Sequence, residues 1–240
     1  GQVARRFEPQ SKLIRAWGLK GGVSAQGTAI GIGRPDGGVK KLVGRRHGPR
    51  DLEQNPNIAS DEFRLLEITR ASGLPTPAPH YLDTSCELFS TPYMVIEYVE
   101  GETEFSPSNL DDFILELATQ LSSIHSIDCS DLDLSFLPNL SDTCAEKIST
   151  RPVKLDESIG EGRIRDALES LWPWPQRNEP ALLHGDFWPG NVLWKDGRVA
   201  AVIDWEDARV GDPLADLSNT RLETLWTFGI EAMNLFTDHY

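Results

Sequence analysis

His184-Gly185-Asp186-Phe187-Trp188-Pro189-Gly190-Asn191, followed by Val202-Ile203-Asp204-Trp205, is the part of the chain on which the fold turns. The first stretch has the form H-x-D-x-x-x-x-N. The second is an apolar run that ends in an aspartate. Asp186 stands two residues after His184 and five before Asn191, so a short loop brings both side chains to one mouth. Moving a phosphoryl group to a hydroxyl requires an acceptor for the hydroxyl proton and oxygen ligands for Mg²⁺ around one γ-phosphate. Asp186 can take the proton, while Asn191 and Asp204 can hold the metal, a hard ion that prefers oxygen.

A Pro-Gly-Asn or Asp-Gly sequence taken alone is a turn. A turn does not require His, Asp, Asn and a strand-terminal Asp in this order, so the joint pattern points to chemistry. Within it, His184 reads as a brace for the loop, and Trp188 and Trp205 read as packing residues that shape the site. Cys86, Cys129 and Cys144 are far apart and odd in number, which predicts neither a disulfide framework nor a zinc site. They read as buried or free thiols of a reducing, cytoplasmic compartment. His47, His80, His125 and His239 have no metal-ligand spacing.

The 240 residues suffice for one large domain or two lobes, and 25% charged residues give an ordinary globular balance. No apolar run reaches the roughly 20 residues that cross a bilayer, so a membrane is not expected as a partner. The net charge of −14 argues against nucleic acid, whose phosphates select basic surfaces. It suits a cationic ligand, and equally a solvated acidic surface; between Glu102 and Glu169 the imbalance reaches 15 acidic against 5 basic residues. The oligomeric state is not legible. No secretory leader is visible; the chain begins Gly-Gln rather than Met, so its natural start is expected upstream.

The first ~95 residues read as strand-rich with one helix. Thr28 to Gly33 and Val39 to Arg46 form a predicted hairpin around the Pro35-Asp36-Gly37-Gly38 turn. Asn57 to Ser72 reads as a helix with Phe63, Leu66 and Arg70 on one face, capped by Gly73. Leu74 to Pro79 must be extended because its prolines cannot continue a helix. Tyr93 to Val99 is a β-prone buried strand. After Gly101 the pattern becomes helical: Phe113, Leu117, Leu121 and Ile124 repeat at helical spacing, as do Ile164, Leu168 and Leu171. Short strands flank the opening motif at Ala181–Leu183, Asn191–Trp194 and Val199–Ile203. Leu222, Leu225, Met233 and Phe236 predict one last helix. The fold class is therefore α+β and bilobal, with a β-rich lobe over 1–98 and a mainly helical lobe over 99–240.

His184 to Asn191, Ile203-Asp204-Trp205-Glu206 and Gly211 to Leu217 resemble the aminoglycoside phosphotransferase family, which includes choline-kinase-like and other small-molecule kinases. The resemblance implies a protein-kinase-like fold, ATP or GTP as co-substrate, Mg²⁺, and a small-molecule hydroxyl acceptor. It makes Asp186 the catalytic base, Asn191 and Asp204 the metal ligands, and Asp216 a tie between the following helix and the catalytic loop. Gly21 to Gly27, with Ser24, falls where the family covers the phosphates. It is not a Walker A loop, since Thr28 and Ala29 follow. The second hairpin strand should carry the phosphate-gripping cation. Arg45 is the first choice, with Arg46 and Lys41 as rivals. Its helical partner should be Glu62, with Glu67 as competitor. Tyr93 to Val99 would be the hinge, meeting adenine through the carbonyl of Glu97 and the amide of Val99. Further C-terminal helices that complete the acceptor pocket are expected beyond Tyr240.

Two other functions fit parts of this pattern. A nucleotide-binding regulatory module without turnover fits the weak glycine loop and the absent lysine, but not the complete Asp/Asn/Asp set. A metal-dependent phosphoesterase would need more His and carboxylate ligands than the motif offers.

Overall fold

A computed structural model describes residues 1–19, 25–35, 37–175 and 177–240. After a short helix α1 (Gln2–Phe7), strands β1 (Lys12–Gly18), β2 (Ala25–Gly33) and β3 (Val39–His47) form an antiparallel meander. Helices α2 (Pro49–Gln54) and α3 (Ile58–Ala71) follow, then β4 (Pro79–Asp83) and β5 (Tyr93–Glu97). The sheet order is β1-β2-β3-β5-β4, so β5 is inserted beside β3 with Arg45 opposite Met94.

The period of two along β5 explains how this sheet joins the rest of the molecule. Tyr93 and Val95 face a small core with Ala4, Ile30, Ile32 and Leu42. Met94 and Ile96 face the other way, into the main core with Leu65 and Leu66 of α3. That core continues without a break into helix α4 (Leu110–His125). Helix α4 starts where the Asn109 side chain accepts hydrogen bonds from the amides of Asp111 (3.1 Å) and Asp112 (3.3 Å). It buries Phe113, Leu117, Leu121 and Ile124, the face set by its sequence period.

Helices α5 (Leu140–Ser149) and α6 (Glu161–Leu171) precede β6 (Ala181–Leu183). Strands β7 (Val192–Lys195) and β8 (Arg198–Val202) form a hairpin, and β9 (Arg209–Gly211) returns to pair with β6. Helices α7 (Leu214–Phe228) and α8 (Ile230–His239) follow. Among the described residues, no helix is long and apolar enough to cross a membrane.

Several expectations need correction. Among the described residues the first ~95 hold three helices where one is expected, and α5 is a further helix that the apolar spacing does not predict. On α3 the buried face is Ile58, Ala59, Glu62, Leu65, Leu66 and Thr69, whereas Arg70 is exposed and Phe63 half-buried. The buried stripe includes a glutamate, which an apolar periodicity cannot register. The expected last helix is two, because Gly229 adopts φ +92° and ends α7. Leu222 and Leu225 are consequently exposed on α7, while Met233 and Phe236 are buried on α8. Helix α6 forms as expected, but Ile164 and Leu171 remain exposed because little besides α5 packs near it.

Candidate active site

The opening motif forms a loop pinned from behind. Asp216, near the start of α7, is buried, and its two carboxylate oxygens accept from the amides of His184 (2.7 Å) and Gly185 (3.0 Å). His125 at the end of α4 approaches the same carboxylate (3.2 Å) and meets the Tyr240 hydroxyl at 2.6 Å on its other ring nitrogen. Burial would raise the pKa of Asp216, but the His125 hydrogen bond and the neighbouring His184 outweigh it, and the net shift is downward. The Thr220 hydroxyl donates to the carbonyl of Phe187 (2.8 Å), adding a second tie between α7 and the loop.

His184 is completely buried, and its two ring nitrogens have different jobs. Nδ1 accepts from the Asp186 amide (3.3 Å), so the ring proton sits on Nε2 and is donated to the Ile203 carbonyl (3.0 Å). Burial pushes its pKa down, in keeping with this neutral form. The ring thus connects the Asp186 loop to the segment before Asp204. Gly185 makes the tight approach: its φ is +85°, and a Cβ there would overlap the Asp207 backbone.

Asn191 faces the cleft with its side-chain nitrogen committed to Asp186, at 2.9 Å to the carbonyl and 3.0 Å to Oδ2. Its side-chain oxygen is then the atom it can offer a cation. The Ile203 amide donates to the Asn191 carbonyl (2.9 Å), which sets the Asp204 segment against the loop. Asp204 follows in a left-handed conformation, φ 67° and ψ 61°, which Asp tolerates better than most residues. The Asp207 carboxyl lies close by, and burial together with the Asp186 and Asp204 charges raises its pKa.

The cation comes from the other lobe. Arg45 on β3 donates through Nε to Glu62 Oε2 (3.0 Å) and through Nη2 to Asp204 Oδ1 and Glu206 Oε2, the latter at 2.8 Å. Burial would lower the Arg45 pKa, but the charges of Glu62, Asp204 and Glu206 prevail and raise it. Glu62 is buried and still held below its ordinary pKa, since Arg45 and then His47 outweigh the desolvation. Of the rival cations, Arg46 projects to the opposite face, bonds Gln26 and lies 4.5 Å over the Phe89 ring. Lys41 is largely exposed and pairs with Glu100, and Glu67 is exposed.

A cleft of about 680 Å³ lies between the lobes, lined by Arg45, Glu62, Glu97, Val99, Asn191 and Asp204 among others. The Glu97 carboxylate turns aside, accepting from the Ala78 amide (3.1 Å). Ser24 lies outside the described residues. Phe105 and Trp188 close one wall, with ring centroids 6.1 Å apart. Two members of the cluster escaped the sequence reading, His47 and Glu206. Each stands two residues from a group that was singled out, Arg45 and Asp204, and the strand period alone would have placed His47 beside Arg45.

The donor set suits Mg²⁺. An amide oxygen and carboxylates are hard ligands, and the three carboxylates around Arg45 exceed its single positive charge. Asn191 and Asp204 are the residues that would hold the ion.

Over 212 residues the chain is 27% identical to acyl-CoA dehydrogenase family member 11 of Rattus norvegicus, covering 82% of this chain and 27% of the relative. It therefore spans about a quarter of that relative's length. It is 28% identical over 159 residues to viomycin phosphotransferase of Streptomyces vinaceus, covering 61% of this chain and 55% of the relative. A solved aminoglycoside phosphotransferase mutant, in ternary complex with ADP and hygromycin B, superposes with a TM-score of 0.69 at 18% identity, covering 99% of this chain and 80% of the other. At that identity the likeness speaks for the fold, which is the bilobal kinase-like one expected. A family model described as the phosphotransferase enzyme family matches residues 19–235, spanning both lobes and every described member of the site, and the chain belongs to that family.

Proposed function

We propose that this chain transfers the γ-phosphoryl group of ATP or GTP to a hydroxyl of a small molecule, with Mg²⁺ bound by Asn191 and Asp204. One observation carries this reading: Asn191 and Asp204 line a single cleft together with Arg45, which comes from the other lobe and bonds Asp204, while Asn191 holds the Asp186 carboxylate by a hydrogen bond. Asp186 accepts the proton of the acceptor hydroxyl, held for that task by Asn191 and by the His184 brace. Arg45 grips the nucleotide phosphates as a planar fork rather than the point charge of a lysine. The metal, when bound, supplies charge neutralisation of the phosphates. Residues 1–98 form the nucleotide lobe and 99–240 the catalytic and acceptor lobe, with the purine meeting the backbone of Glu97 and Val99. Ser24 belongs to the phosphate-covering loop in this scheme.

The acceptor is an amine-bearing alcohol, a class supported by the acidic surplus of the chain and by the aminoglycoside ligand of the similar structure. The three free cysteines support a reducing, cytoplasmic setting. The test is Mg²⁺-dependent nucleotide consumption over a panel of hydroxylated amines, read with wild type and with Asp186→Ala. Consumption that needs both acceptor and Asp186 supports the proposal. Wild-type turnover in Asp186→Ala sinks it.

A further inference from the structure

Arg45 and His47 are two residues apart on β3 and project to the same side of the sheet, towards α3. The His47 side chain is fully buried. Its Nε2 lies 2.7 Å from Glu62 Oε2, the oxygen that also takes Arg45 Nε at 3.0 Å. The same nitrogen is 3.8 Å from Glu206 Oε2, which takes Arg45 Nη2 at 2.8 Å. Both glutamates that flank the guanidinium therefore have His47 behind them. A carboxylate only accepts, so the imidazole donates from Nε2. Its Nδ1 is buried without a hydrogen-bond partner among the described residues. An apolar side chain would fill this space without leaving a buried polar atom unpaired. The imidazole is accounted for by the bond it gives to Glu62.

We propose that His47 is a positioning residue that locks the Glu62 carboxylate and so keeps Arg45 aimed at the nucleotide phosphates. The inference rests on the phosphotransferase reading above. There Asp204 serves the metal, so Arg45, now shared by three carboxylates, is left to Glu62 and Glu206. A carboxylate free to rotate would let the fork swing out of line. The donor from His47 removes that freedom, as outer partners do for the ligands of metal sites.

The test uses the whole chain and measures direct binding of ATP with Mg²⁺, by calorimetry, alongside kcat and nucleotide KM. His47→Leu is expected to weaken nucleotide binding about tenfold and to raise nucleotide KM more than it lowers kcat. His47→Gln, whose amide nitrogen can reach Glu62 as a donor, is expected to recover most of the loss. In a Glu62→Gln background, His47→Leu should add nothing further. Melting temperatures of all variants are compared, and if His47→Leu does not fold, His47→Met takes its place. Equal binding by the apolar and Gln variants would show that the ring only fills space, and overturns the inference while the phosphotransferase reading stands. A wild-type chain that binds no nucleotide overturns both.

Discussion

Two polar clusters meet at the cleft, and they are built on opposite principles. Behind the Asp186 loop, the Asp216 carboxylate is matched by two backbone amides and His125, and the neutral His184 ring is matched on both nitrogens. Across the cleft, Arg45 faces three carboxylates, so negative charge remains in excess. Both lie largely out of water, where unpaired polarity is costly. A balanced cluster is a scaffold that gains nothing from a ligand. An unbalanced cluster is poised to receive a cation and to give up one of its own contacts in exchange. Saturated hydrogen bonding fixes the loop that holds Asp186, and in the proposed reaction the surplus charge prepares the place where phosphate and metal would meet.

This contrast can be broken from either side. Removing the reacting group should cost chemistry and leave the fold intact: Asp186→Ala is expected to lower turnover by about 10²–10⁴-fold, with melting temperature little changed. Removing the centre of the balanced cluster should do the reverse. Asp216→Ala strips buried amides and His125 of their acceptor and should destabilise by about 3–5 kcal/mol, measured by denaturant unfolding. If that variant melts like wild type, the clamp is not a scaffold. Gly185→Ala probes the same loop through its backbone. The positive φ alone costs about 1–3 kcal/mol, and the Asp207 backbone must move to admit the methyl group.

Acid provides a fourth probe. Glu62 and Asp216 both have pKa values depressed by folding, so the unfolded chain binds more protons than the native one as pH falls. The buried His184, whose pKa is also lowered, acts with the same sign from a higher pH. Stability should therefore begin to decline below about pH 6.5, where an unfolded histidine protonates. The decline should steepen below about pH 5 as unfolded carboxylates follow. Thermal melting across pH 7 to 4 checks this, and a flat profile would contradict the sign. The smallest effect belongs to a position outside both clusters: Leu222→Gln on the exposed side of α7 should change stability by under about 0.5 kcal/mol.

The parts of the fold legible beforehand were those with a strict local period or a strong punctuating residue. The β2–β3 hairpin, α4 with its Phe113 to Ile124 stripe, and the β7–β8 hairpin fall within a few residues of expectation. Misreadings arose where burial did not follow hydrophobicity. Leu222 and Leu225 carry the right spacing and stay in solvent, while Glu62 is polar and lies in the core. A periodicity scan sees apolar side chains and is blind to a charge paired by another segment.

Sequence alone determined the order Asp186, Asn191, Asp204, because loop length and strand end fix those side chains within one contiguous stretch. The family resemblance implied a cation on the second hairpin strand and a partner glutamate on the following helix. Only the tertiary structure decided which ones. Arg45 and Arg46 are adjacent and chemically identical, and the pleat sends one into the cleft and the other onto Phe89. The same pleat put His47 behind Glu62, and the turn after Asp204 brought Glu206 to Arg45. The physical reason is range: local geometry is written in neighbouring residues, whereas a buried ion network is settled by which distant segments the core brings within 3 Å of one another.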